Sequence, residues 1–64
     1  MVIIKETGSD KWVFIRDGEV RFTSNKDQAT KLVSADKLPS FCIIYAELLY
    51  LYNKGTLVTE NVDD

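Results

Sequence analysis

KWVFIRDGEVRFTS, residues Lys11 to Ser24, decides how this chain folds. Asp17-Gly18 stands between two runs rich in β-branched and aromatic side chains. A two-residue type I′ turn needs positive φ at both central positions, which Asp tolerates and Gly adopts freely, so the pair predicts a tight hairpin. Strands are expected over about 11–16 and 19–23. The short loop also sets the register. Arg16 should oppose Glu19, Ile15 Val20, Phe14 Arg21, Val13 Phe22, and Trp12 Thr23. Directly opposed residues share a face of a sheet. One face is therefore apolar, with Val13, Ile15, Val20 and Phe22, and the other carries Trp12, Phe14, Arg16, Glu19, Arg21 and Thr23. A slip of one residue would place Arg21 among the aliphatics, so hydrophobic pattern and turn geometry agree.

Upstream, Val2-Ile3-Ile4 is a β-branched run ending at Lys5, and Thr7-Gly8-Ser9-Asp10 supplies turn chemistry. Downstream, Ser24 and Asp27 resemble a capping box with Asp in place of Glu, and Ala29, Leu32 and Val33 have i, i+3, i+4 spacing. This predicts a short helix over about 25–33. Alternatively, one helical turn leads into a short strand over 30–33. Residues 34–38 connect onward, and TLVTENV, about 56–62, is a final β-rich segment.

Between them lies FCIIYAELLYLY, Phe41 to Tyr52, with Glu47 as its single charge. It is too short to cross a bilayer, which takes about 20 apolar residues. Pro39 suits the first turn of a helix, and Asn53-Lys54-Gly55 suits the last, so one main helix is expected over about 39–53. Phe41, Ile44, Tyr45, Leu48, Leu51 and Tyr52 then form a stripe that packs on the apolar sheet face. Ile43, Glu47, Tyr50 and Lys54 fall on the opposite side. That side should be polar, yet it holds Ile43 and Tyr50. A helix apolar nearly all round is usually covered on both sides. Ile43, Tyr50 and Glu47 are accordingly candidates for contact with another chain, unless the 25–33 segment or the C-terminal segment lies over them.

The second sheet face poses the same question. With one helix covering the apolar face, Trp12 and Phe14 are left beside Arg16 and Arg21. Aromatic residues and arginine dominate binding hot spots. They can also stack the bases of single-stranded nucleic acid, and Arg21 could lie on Phe14 as a cation–π pair. Alternatively, an end of the chain closes over Trp12 and makes a second small core.

Composition narrows the function. The chain has 64 residues, ten acidic and eight basic, for a formal charge of −2. Nucleic-acid binding normally comes with a basic surplus, so it is not expected. Cys42 is the only cysteine and there is no histidine, so neither an internal disulfide nor a metal centre is expected. The commonest general base is missing. Cys42 sits in an apolar run with no histidine partner and should be inert. Gly8, Gly18 and Gly55 are isolated, so no phosphate-cradling loop is present. The pairs Asp17/Glu19 and Asp63/Asp64 belong to a turn and a tail, and Glu60, Asp63 and Asp64 form a small acidic tail suited to solubility. So small a core leaves no room for a substrate pocket. Neither enzymatic activity nor a cofactor is expected. A lone cysteine without a signal peptide suggests the cytosol.

The segment VFIRDGEVRFTSNKDQATKLVS, about 13–34, resembles small proteins of tailed bacteriophages and mobile elements. In those proteins a hairpin is followed by Thr-x-Asn/Asp-x-x-x-Ala-Thr/Lys and a helix. The resemblance implies an accessory protein that binds and inhibits a host enzyme or defence system, or neutralises a toxin. It carries no active site.

The expected object is one small α+β domain: an antiparallel sheet built on the hairpin, with the 39–53 helix across one face and strands added by both ends of the chain. Its expected work is to bind a protein and inhibit or modulate it by covering a surface. Trp12, Phe14 and Tyr50 would anchor that contact and Arg16 and Arg21 would fix it. A domain of this size buries only about 60% of its unfolded surface, and association is a common remedy, so a homodimer or other self-assembly is one alternative; a single-stranded nucleic-acid module using the Trp12/Phe14/Arg16/Arg21 face is the other.

Overall fold

A computed structural model describes residues 1–62; Asp63 and Asp64 of the acidic tail lie outside them. The β-branched N-terminal run becomes β1, Val2–Glu6, and occupies the centre of a five-stranded antiparallel sheet. The hairpin supplies β2, Trp12–Arg16, and β3, Glu19–Thr23. Asp17 has φ 54° and Gly18 φ 75°, and all five expected cross-strand pairs form, from Trp12 opposite Thr23 to Arg16 opposite Glu19. The C-terminal strand β5, Leu57–Asn61, pairs with β1 along its whole length. The fold is therefore α+β, as the hairpin and the apolar helix predict.

The 25–33 segment is not a helix. It is a 3₁₀ turn over Lys26–Gln28 followed by a two-residue strand β4, Lys31–Leu32, which pairs with Val2 and Ile3 of β1. The cap is Asn25, whose side chain accepts from the Asp27 N–H at 3.0 Å, in place of the expected Ser24. Tertiary pairing decides against the helix. The Thr30 N–H donates to the Val13 carbonyl at 3.1 Å, and the Ile15 N–H donates to Thr30 Oγ1 at 2.8 Å. These bonds tie the segment to β2 as an extended chain, which outweighs a weak i, i+3, i+4 pattern.

The expected 39–53 helix is two helices, α1 over Leu38–Ile44 and α2 over Ala46–Lys54. They break at Tyr45, whose backbone is extended at φ −123°, ψ 115°. Ile43, Ile44 and Tyr45 are three weak helix formers in succession, while Ala46 and Glu47 start a helix well. The Tyr45 N–H closes α1 on the Cys42 carbonyl at 3.1 Å, and its carbonyl accepts the first bond of α2 from Leu49 at 3.0 Å. Gly55 ends α2 with φ 78°, as the Asn-Lys-Gly signal predicts. Among the described residues no helix is long and apolar enough to cross a membrane.

Alternation along β1 gives the sheet two cores. Val2 and Ile4 join Val13, Leu32, Leu38, Cys42, Leu48 and Leu57 under the helices, with Ile15, Val20, Phe41, Tyr45 and Leu51 packed around them. Ile3 points the other way, into a cluster with Trp12 and Ala29 that Val62 borders. Three members of the expected core stripe and face lie outside. Ile44 is 69% exposed, Phe22 37% and Tyr52 36%. The break at Tyr45 removes Ile44 from the i, i+4 line it would share with Leu48, and Phe22 lies on the outermost strand. Cys42 is fully buried, and desolvation pushes its thiol above the ordinary range, which fits an inert packing role.

Candidate functional site

The sheet face expected to dock a partner is largely closed. Trp12 is only 8% exposed, packed with Ile3 and Ala29. Its polar edge is also taken: indole Nε1 donates to Glu60 Oε1 at 3.3 Å. Lys26 Nζ lies 5.2 Å from the ring centroid and pairs with Glu60 Oε2. Trp12 is thus a packing residue, the expectation that it anchors a partner is corrected, and no Trp12/Phe14 stacking platform exists. The cause is the 24–30 segment, which folds beneath β2 and β3. Thr23 Oγ1 holds it by donating to Gln28 Oε1 at 2.8 Å and accepting from the Asn25 N–H at 3.0 Å. Phe14 is half-buried, and Arg16 is exposed. Arg21 turns to its own strand, with Nη2 2.8 Å from Glu19 Oε2; both side chains are largely solvated. Lys26 lies over Trp12 and Lys54 over Tyr50, whereas Arg21 pairs with Glu19 instead of lying on Phe14.

Glu60 makes the closure of this face sensitive to acid. Its hydrogen bond with Lys26, more than the one from Trp12, holds the carboxyl below its ordinary range against the opposing effect of desolvation. A depressed folded value means the contribution is complete above the unfolded carboxylate range and is lost as pH falls through the folded value. Glu60→Gln is therefore expected to be less stable than the natural chain at neutral pH, with the gap closing in acid. Asp36, held low by the Ser34 hydroxyl, titrates in the same direction, so Asp36→Asn serves as the control. Urea unfolding across the acid range checks this; parallel curves for Glu60→Gln and the natural chain would refute it.

The helix elbow holds the other residues expected to meet a partner. Tyr45 packs its ring on Phe41, with centroids 5.4 Å apart, and turns α2 so that Leu48 enters the core. The same turn leaves Ile43 and Ile44 outside, each 69% exposed, and Tyr50 63% exposed with Lys54 Nζ 5.1 Å from its ring centroid. Ile43, Glu47 and Tyr50 are all exposed, as expected, but they do not form one continuous helical line, because Ile43 belongs to α1. Ile44 is the residue that periodicity missed; the available signal was the Ile-Ile-Tyr run that stops α1.

Beside the elbow is an open groove of about 460 Å³. Gly18, Glu19 and Val20 make one wall, and Ile44, Tyr45, Ala46 and Glu47 the other. Val20, Ile44, Tyr45 and Ala46 bring apolar groups to its lining and Glu19 and Glu47 bring two carboxylates, of which Glu19 is engaged by Arg21. No imidazole can serve here, because the chain has no histidine. The groove can take an apolar side chain and offer acidic edges to a partner. Comparison with protein-family models, curated proteins and solved structures finds no match to this chain.

Proposed function

We propose that this chain is a non-catalytic protein-binding module that docks through its helix elbow and inhibits or modulates its target by covering a surface. One observation carries the proposal. Ile43, Ile44 and Tyr50 are each more than 60% exposed and lie together at the α1–α2 break and the turn that follows it, while each face of the sheet has its own buried cluster. Scattered exposed apolar residues are ordinary, but two adjacent isoleucines at a helix break, next to a groove of mixed apolar and acidic lining, favour a contact. The aromatic Tyr50 would anchor it with little loss of side-chain freedom. The resemblance of residues 13–34 to small phage proteins supports a target in a host cell, and the lone thiol of Cys42 supports a reducing cytosol.

Affinity capture by the tagged chain, with each captured protein identified by mass spectrometry, tests this. Tyr50→Ala and Ile43→Asp should each weaken retention of the same protein by about 2 kcal/mol or more, the usual loss at a hot spot, while circular dichroism stays unchanged. Equal retention by both folded variants would overturn the proposal.

A further inference from the structure

β3 is the outermost strand of the sheet, and its far edge is open. A two-residue hairpin loop is closed by a hydrogen-bonded pair, here Arg16 and Glu19, and such pairs alternate along an antiparallel ladder. Phe14 with Arg21 is therefore the next bonded pair, and the N–H and C=O groups of Val20 and Phe22 point away from β2. Among the described residues, no backbone bond outside the β2 ladder involves Glu19 to Thr23. Proteins usually blunt such an edge with charge. This edge carries Glu19 and Arg21, which have opposite signs two positions apart.

We infer that the occupant of this edge is a second copy of the chain, added antiparallel about a two-fold axis through Val20. The inference goes beyond the elbow proposal and shares with it only the groove beside the elbow. Three features select this register. First, Val20 opposite Val20 brings together two outward-facing backbones, which can exchange both hydrogen bonds. Second, Glu19 of each copy then opposes Arg21 of the other, so the ion pair now closed within one strand at 2.8 Å can be made twice across the axis. A two-fold axis through Arg21 would set arginine against arginine. Third, Phe22 of each copy passes Gly18 of the other. Gly18 has no side chain and nothing within 4 Å of where a Cβ would stand. Phe22 lies on the Val20 face and is 37% exposed. Its ring is thus delivered to the groove wall formed by Gly18 and Val20, facing Ile44. The contact is isologous and closes at two copies, and it leaves Ile43 and Tyr50 outside the groove for the target.

A charge exchange tests the inference. Glu19→Arg leaves two arginines on the edge, and Arg21→Glu leaves two glutamates. Sedimentation from micromolar to millimolar concentration should show a dimer for the natural chain. Each variant alone should be a monomer, or weaker by about ten- to hundredfold, because two attractive cross-strand pairs become repulsive. An equimolar mixture should restore the dimer as a heterodimer, since every arginine then opposes a glutamate. Circular dichroism keeps unfolding apart from dissociation. A natural chain that stays monomeric throughout, or single variants that still dimerise as well as it does, would overturn the inference. Either result leaves the elbow proposal standing, because that proposal depends on Ile43 and Tyr50. Conversely, a dimer that obeys the charge exchange while Tyr50→Ala and Ile43→Asp retain their target would overturn the elbow proposal alone.

Discussion

Trp12→Ala is expected to remove about half or more of the stability of the chain at 25 °C. Removing a buried indole costs about 3–5 kcal/mol in lost transfer energy and cavity formation. A domain of this length has a total stability of about 3–10 kcal/mol at the usual value per residue. The loss is larger than the ring alone because the neighbours have nowhere else to go. Ile3 is fully buried against Trp12 and Ala29, and no helix lies on this side to collapse into the space. Glu60 and Lys26 also lose the indole that both contact. Trp12→Phe keeps an aromatic ring in place and should cost only about 1–2 kcal/mol. Trp12 is the only tryptophan, so its emission reports the same event: blue-shifted when folded, red-shifted across the urea transition. A folded Trp12→Ala within about 1 kcal/mol of the natural chain would make Trp12 a surface residue again.

Leu48→Ala should be comparably damaging, for a different reason. Leu48 is the one residue of α2 that is fully buried, one turn beyond the break at Tyr45. It meets the main core beside Ile4, Val13 and Cys42. Leucine truncation at such sites costs about 2–5 kcal/mol. Leu51 is only partly buried against the same core, so Leu51→Ala should cost clearly less. Urea midpoints for the two variants decide it. If Leu51→Ala proves the more destabilising, α2 is held by its C-terminal turn and the elbow is not the hinge of its packing. Because α1 and α2 break at an extended residue, loss of the Leu48 contact should also free α2 to move against α1, which hydrogen exchange of the α2 amides would show as lost protection.

Together these results would separate what stabilises the chain from what it presents. The indole and the second core are structural. On the proposed reading, the elbow, with Ile43, Ile44 and Tyr50, and the open edge of β3 are the surfaces offered to other chains. A function built on those surfaces needs no catalytic group, only shape, apolar area and a few charges held still by the two cores. It also offers a small domain added stability, since anything that binds the folded form shifts its unfolding by mass action.

The Asp17-Gly18 turn, the register of β2 with β3, the strand character of Val2–Ile4, the Gly55 stop and the exposure of Ile43 and Tyr50 were legible from residues alone. Each is local: a φ preference, a period of two, or a face of one helical turn is set by neighbours in the chain. The fate of Trp12 was not local. Its burial depends on residues 24–30 folding back beneath β2 and on Glu60 and Val62 arriving from the far end of the chain. The break at Tyr45 was half-written, because Ile-Ile-Tyr weakens a helix without ending it. What ended it was packing: Tyr45 gained Phe41, Leu48 gained the core, and Ile44 was turned out to solvent. Propensities of a few tenths of a kcal/mol per residue cannot settle such a choice, whereas burial of one leucine is worth about 1.5–3 kcal/mol and does.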